Sequence, residues 1–108
     1  MRTDPPHDSN MEGLMNAALG MCGEAGEFAD LLKKIKYHRH PMDKEHLLKE
    51  AGDVLWYVAQ AAYYIGQIYE DEFITLGLIG EINIEKLEKR YPDGFDPDKS
   101  LNRAEGDI

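Results

Sequence analysis

The stretch Asp43–Tyr69, DKEHLLKEAGDVLWYVAQAAYYIGQIY, decides the fold of this chain. Leu47, Val54, Tyr57, Val58, Ala61 and Ile65 recur at helical spacing, no proline interrupts them, and Asp43 is placed to cap the first turn. One long amphipathic helix is therefore expected, running to about Tyr69. Working outward toward the N-terminus, His38-Arg39-His40-Pro41 is a breaker, because proline removes a donor and disfavours helix in the residue before it. Ahead of the breaker, Leu14, Ala17, Met21, Phe28, Leu31, Leu32 and Ile35 mark a second long helix over about Met11–Tyr37. Residues 1–10 read as an irregular lead-in, with Ser9 or Asn10 available as its N-cap. Gly20, Gly23 and Gly26 each cost about 1 kcal/mol in a helix interior. Close approach of another helix or of a ligand is the expected reason for them.

Toward the C-terminus, a short helix around Phe73–Leu78 is expected, ending near Gly77 or Gly80. A further one covers about Glu81–Arg90 and stops at the turn signature Tyr91-Pro92-Asp93-Gly94. Residues 95–108 read as a polar tail. The class is all-α: an antiparallel helical bundle of two long helices plus one or two shorter ones, in a single domain spanning 1–108. A helix of about 26 residues is ~39 Å long, whereas a compact chain of this size has a radius of gyration of ~13 Å. Apolar stripes that long are left uncovered in a monomer, so completion of the bundle by a homodimer or homotetramer is expected.

Composition narrows the function. The net charge of −9 argues against binding a nucleic acid polymer, which requires a basic surface. It leaves a nucleotide substrate open, since a divalent cation reverses local charge. The single cysteine, Cys22, excludes an internal disulfide and a multi-cysteine zinc site, and reads as a small buried apolar residue. The polar Met1–Asn10 segment is unlike a signal peptide, and no apolar run reaches membrane-spanning length. The expected location is cytoplasmic, with no membrane partner.

Two acidic pairs carry the chemistry: Glu24-x-x-Glu27 and Glu50-x-x-Asp53. At about 100° per residue, Leu31, Ile35, Ala17 and Phe28 fall within about 40° of Glu24, with Glu27 about 60° to one side. Around Glu50, Ala61, Val54, Tyr57 and Ile68 fall within about 40°, and Asp53 lies about 60° to the same side. Each helix thus sets its first acid inside the apolar stripe and its second at the edge. A chain with 21 acidic residues makes such spacings easily, and surface acids are the plainer reading of either pair alone. Two pairs on buried faces are different, because lone buried carboxylates are costly. Antiparallel packing would bring all four together around a cation. Oxygen-only ligands point to Mg²⁺, with Mn²⁺ possible, and so to phosphate chemistry. The i,i+3 Glu-x-x-His pairs of di-iron bundles are absent.

With Gly23-Glu24-Ala25-Gly26-Glu27 and Glu50-Ala51-Gly52-Asp53 in view, the chain resembles the MazG-like all-α nucleotide pyrophosphohydrolases and their E-x-x-E…E-x-x-D signature. Ala18-Leu19-Gly20, Gly52-Asp53-Val54-Leu55-Trp56-Tyr57, Asn83-Ile84-Glu85-Lys86-Leu87 and Arg90-Tyr91-Pro92-Asp93-Gly94-Phe95 extend the likeness over about residues 14–103. The resemblance implies Mg²⁺ held by Glu24, Glu27, Glu50 and Asp53, hydrolysis of (deoxy)nucleoside triphosphates to monophosphate and pyrophosphate, and a dimer or tetramer. Some members double the first acid as E-E-x-x-E. Here Gly23 takes that position, so a mechanism relying on a fifth carboxylate is in question.

Glu24 or Glu27 is the expected catalytic group, orienting or deprotonating the attacking water. Asn83, Lys86 and Arg90 share one helix face, and the like charges Lys86 and Arg90 at i,i+4 call for an outside anion. They are the expected phosphate contacts, with Lys36 a further one. Lys33, Lys34 and Lys36 together are explained by the helix macrodipole. Trp56 and Tyr57 suit a subunit interface or the nucleobase. His38 and His40 read as solvated loop residues. Alternatives of the same fold group are dUTP and phosphoribosyl-ATP pyrophosphatases, and a non-catalytic helical interaction protein stands as the contrasting class.

Overall fold

The computed structural model describes residues 9–94. They form three helices, α1 (Ser9–His38), α2 (Lys44–Tyr69) and α3 (Leu76–Arg90), and no strand is present among the described residues. They fall into two compact units divided between Thr75 and Leu76.

In the first unit α1 and α2 pack on one another as a helical hairpin. Their register is antiparallel: Gly13 meets Tyr64, Gly20 meets Tyr57, and Glu24 lies within reach of Glu50. On α1 the half-buried or buried positions include Leu14, Ala17, Met21, Glu24, Phe28, Leu31 and Ile35; on α2 they include Leu47, Glu50, Val54, Tyr57, Ala61, Tyr64 and Ile68. Both series alternate steps of three and four, the spacing that keeps one seam facing a partner helix. Leu32, expected in the α1 stripe, is exposed instead, since it lies about 100° beyond Leu31.

Local chemistry sets the element ends. Asp43 is the α2 N-cap and its side chain accepts from the Glu45 N–H at 3.1 Å. The breaker at residues 38–41 stops α1 at His38, and Arg39 takes a left-handed conformation, φ 57°. At the other end of α2, Glu70 is left-handed (φ 53°), and the Asp71 N–H donates to the Gly66 carbonyl at 2.9 Å. This is the Schellman closure. It also explains Gly66, where an added Cβ would sit 2.9 Å from the Asp71 carbonyl oxygen.

Two expectations about the ends are corrected. Ser9 and Asn10 lie inside α1 rather than ahead of it. No separate helix ends near Gly77 or Gly80, because α3 begins at Leu76 and passes through both glycines. A helix glycine costs about 1 kcal/mol but does not by itself end a helix. The break falls instead at the α2 cap and the turn after it, where the Phe73 N–H donates to Asp71 Oδ1 at 2.9 Å. The expected turn after α3 is present: the Gly94 N–H donates to the Tyr91 carbonyl at 3.0 Å, with Gly94 at φ 90°. The rest of the expected lead-in, residues 1–8, and the polar tail at 95–108 lie outside the described residues.

Among the described residues the buried apolar side chains are Ala17, Ala61 and Ala62, and no large side chain is fully buried. Leu48, Leu55, Trp56 and Tyr63 on α2 stay exposed in a row, with the exposed Gly52 between the first two. Met15 and Leu19 do the same on α1. Cys22 is also exposed, contrary to the expectation of a buried residue. It lies one position past Met21, which takes the seam place on that turn.

Candidate metal centre

The antiparallel register sets Glu24 of α1 opposite Glu50 of α2, each in a seam position that a leucine would ordinarily fill. Glu24, Glu27 and Glu50 each offer a carboxylate oxygen, and the three oxygens lie within 4.8 Å of one another. Glu24 and Glu50 are half-buried, whereas Glu27 and Asp53 are exposed on the flank of the seam, as the angular reading expects. Asp53 stands outside the 4.8 Å cluster but acts on Glu24 electrostatically.

On two of these three residues one carboxylate oxygen is buried without any hydrogen-bond partner, Glu24 Oε2 and Glu50 Oε2. Such groups pay a desolvation cost with nothing in return. Glu24 accordingly titrates above its ordinary value. Burial disfavours its charge first, and the like charges of Glu27, Asp53 and Glu50 add to this. A divalent cation answers both effects, by giving the orphaned oxygens a ligand and by cancelling the repulsion. The donor set is oxygen only, which suits a hard ion.

Beside the cluster lies an open cleft of about 410 Å³ lined by Gly23, Gly26, Glu27, Asp30, Leu31, Lys34, His46 and Glu50. Gly23 and Gly26 have no side chain packed over them, since an added Cβ at either would meet nothing within 4 Å. Gly20 is different: its bare backbone receives the Tyr57 ring. The glycine expectation thus divides, with close helix approach at Gly20 and an open cleft at Gly23 and Gly26.

Lys34 and His46 line the cleft but were not singled out as ligand contacts from sequence. Lys34 pairs with Asp30 at 3.0 Å and lowers the Asp30 pKa, chiefly through the hydrogen bond and then through its charge. His46 Nε2 stands 3.3 Å from Glu50 Oε1. The signal available for both was their spacing: Lys34 and His46 sit one or two turns from an acid of the motif, on the same face. Lys36 does not line this cleft and lies over the Tyr37 ring at 5.2 Å.

Trp56 is exposed, and Tyr57 is half-buried against Gly20. Together with Gly13, Asn16, Ala17, Gln60 and Tyr64 they line a second cleft of about 210 Å³. Asn83, Lys86 and Arg90 belong to α3, in the other compact unit, where their spacing sets them on one helix face.

No solved structure matches this chain. The chain is 33% identical over 98 residues to the Gene 37 protein of Mycobacterium phage L5, covering 87% of this chain and 80% of that protein. The family model described as the MazG nucleotide pyrophosphohydrolase domain matches residues 13–95, which includes both acidic pairs and all of α3. With its helices and its carboxylate cluster, the chain belongs to the MazG nucleotide pyrophosphohydrolase family.

Proposed function

We propose that this protein is a Mg²⁺-dependent pyrophosphohydrolase of nucleoside triphosphates, releasing a (deoxy)nucleoside monophosphate and pyrophosphate. The observation that carries the reading is the pair of orphaned, buried carboxylate oxygens on opposite helices, Glu24 Oε2 and Glu50 Oε2, in a cluster with Glu27. Glu24, Glu27, Glu50 and Asp53 would hold the cation. Bound there, Mg²⁺ supplies charge neutralisation for the triphosphate and acidifies water.

The chain's own groups do the rest. Glu27, an exposed residue lining the cleft, and the half-buried Glu24 orient a water against the α-phosphorus, and one of them takes its proton. The water oxygen bonds to the α-phosphorus, the bond from that phosphorus to the bridging oxygen breaks, and pyrophosphate leaves. Gly23 provides no fifth carboxylate, so the base comes from within the four. Asn83, Lys86 and Arg90, with Lys36 as a further group, meet the charge of the phosphate chain. Trp56 and Tyr57 either face the nucleobase or lie between subunits. Asn16 and Gln60 in the same cleft offer amide groups that could read a base.

The exposed row Leu48, Leu55, Trp56 and Tyr63 supports assembly into a homodimer or homotetramer that completes one helical bundle domain. Among the described residues no helix is long and apolar enough to cross a membrane, and a cytoplasmic location fits the reading.

The test is a panel of canonical and modified nucleoside triphosphates with Mg²⁺, reading monophosphate and pyrophosphate, for the native chain and Glu50→Gln. Native release that the substitution abolishes is expected. Undiminished release by Glu50→Gln from every substrate would defeat the assignment.

A further inference from the structure

The four acids are not held alike. Among the described residues Glu50 alone of the four has a basic partner: His46, one turn earlier on α2, with Nε2 at 3.3 Å from Glu50 Oε1. The other oxygen, Oε2, is buried and unpartnered. We propose that His46 is a positioning residue for the acidic site, clamping Oε1 so that Oε2 is the oxygen offered to a divalent cation. This rests on the cation reading above and extends it to a residue outside the four-acid motif.

The last torsion of a glutamate is broad and roughly two-fold, so a free carboxylate samples many presentations. A ring N–H one turn away on the same helix removes that freedom without entering the cluster itself. Outer partners of this kind hold ligand orientation at metal centres, and losing one typically costs about 10–100-fold in metal affinity or activity. A purely structural role fits the site poorly. The His46 side chain is 52% exposed, and an i,i+4 pair with one partner this open to solvent adds little to folding stability. His46 also lines the cleft beside Glu27, Asp30 and Lys34, where its ring is already next to the groups a ligand would meet.

The experiment titrates the full chain with Mg²⁺ alone, nucleotide absent, and follows the melting temperature. Three proteins are compared: native, His46→Leu, which keeps bulk but loses the donor, and His46→Gln, whose amide N–H can reach the same oxygen. Native protein should show a saturable rise. His46→Leu should melt like native without metal but need about 10-fold or more Mg²⁺ for half the rise, while His46→Gln stays within about threefold of native. Half-maximal Mg²⁺ for pyrophosphate release should move in step, with turnover at saturating Mg²⁺ little changed. Should His46→Leu misfold, His46→Asn, too short to reach Oε1, takes its place with the same expectation. A donor-less variant that titrates like native overturns the positioning role and leaves the cation reading intact. A native chain whose melting ignores Mg²⁺ overturns both.

Discussion

Replacing Gly20 by alanine tests the packing that sets the two acid-bearing helices against each other. A Cβ built on Gly20 falls 2.6 Å from Tyr57 Cζ and nearer still to Cδ1 and Cε1. Carbon atoms in contact ordinarily stand about 3.5–4.0 Å apart, so the overlap is about 1 Å against a ring and not against a flexible chain end. Overpacking of this kind costs about 1–3 kcal/mol. Alanine regains about 1 kcal/mol of helix propensity over glycine, which partly hides the cost. Gly23→Ala is the internal control: the same helix gains the same propensity, and its Cβ meets nothing within 4 Å. The stability gap between the two variants is therefore the steric term alone. Even at the low end, about 1 kcal/mol, it separates their melting temperatures by roughly 4–8 °C in a unit of this size. The gap should shrink when Tyr57 is trimmed to leucine in both backgrounds, because the clash has a named partner. Gly20→Ala melting at or above Gly23→Ala by calorimetry would refute the notch, and with it the register that brings Glu24 to Glu50.

Three further outcomes are expected. Native protein in Mg²⁺ at about 100 times its dissociation constant should gain about 2.7 kcal/mol, and Glu50→Gln should lose most of that rise in thermal melts; an equal rise in both would remove Glu50 from the cation site. Because the folded Glu24 pKa is raised, the native state holds this proton more tightly than the unfolded chain, so its contribution favours folding below the unfolded value and is lost as pH rises through the folded one. Metal-free melting curves taken from neutrality down into the carboxylate range should therefore show an acid-side gain for native relative to Glu24→Gln, and parallel profiles would contradict the crowding. Leu55→Asp, which puts a charge into the exposed α2 row, should lower the solution mass by light scattering with helicity unchanged; an unaltered assembly would show that this row is not the interface.

What the sequence made legible follows from how local the determining physics is. Both long helices, the Asp43 cap and the breaker at residues 38–41 rest on spacing and single-residue chemistry, and they appear where expected. The half-buried placing of Glu24 and Glu50 was equally readable, because an angle about a helix axis needs no tertiary knowledge. The start of α3 was not readable. Gly77 and Gly80 punctuate the sequence, but the chain is stopped by the Glu70 cap and the Asp71 turn, neither of which involves a turn glycine of its own. Gly20, Gly23 and Gly26 look alike in one dimension. Only the partner helix separates the one that receives an aromatic ring from the two that leave a cleft open.

His46 shows the same limit from the functional side. Its i,i+4 relation to Glu50 is visible in the sequence, but so is that of Lys49 to Glu45, an exposed pair at 3.1 Å with no further consequence. What distinguishes them is the other oxygen of the acid. At Glu50 it is buried and has no hydrogen-bond partner, whereas Glu45 is open to solvent, which can satisfy it. An ion pair becomes a candidate positioning device only where desolvation leaves the rest of the carboxylate dependent on a ligand. That condition is set by α1 closing over α2, a long-range fact that no spacing on α2 alone can encode.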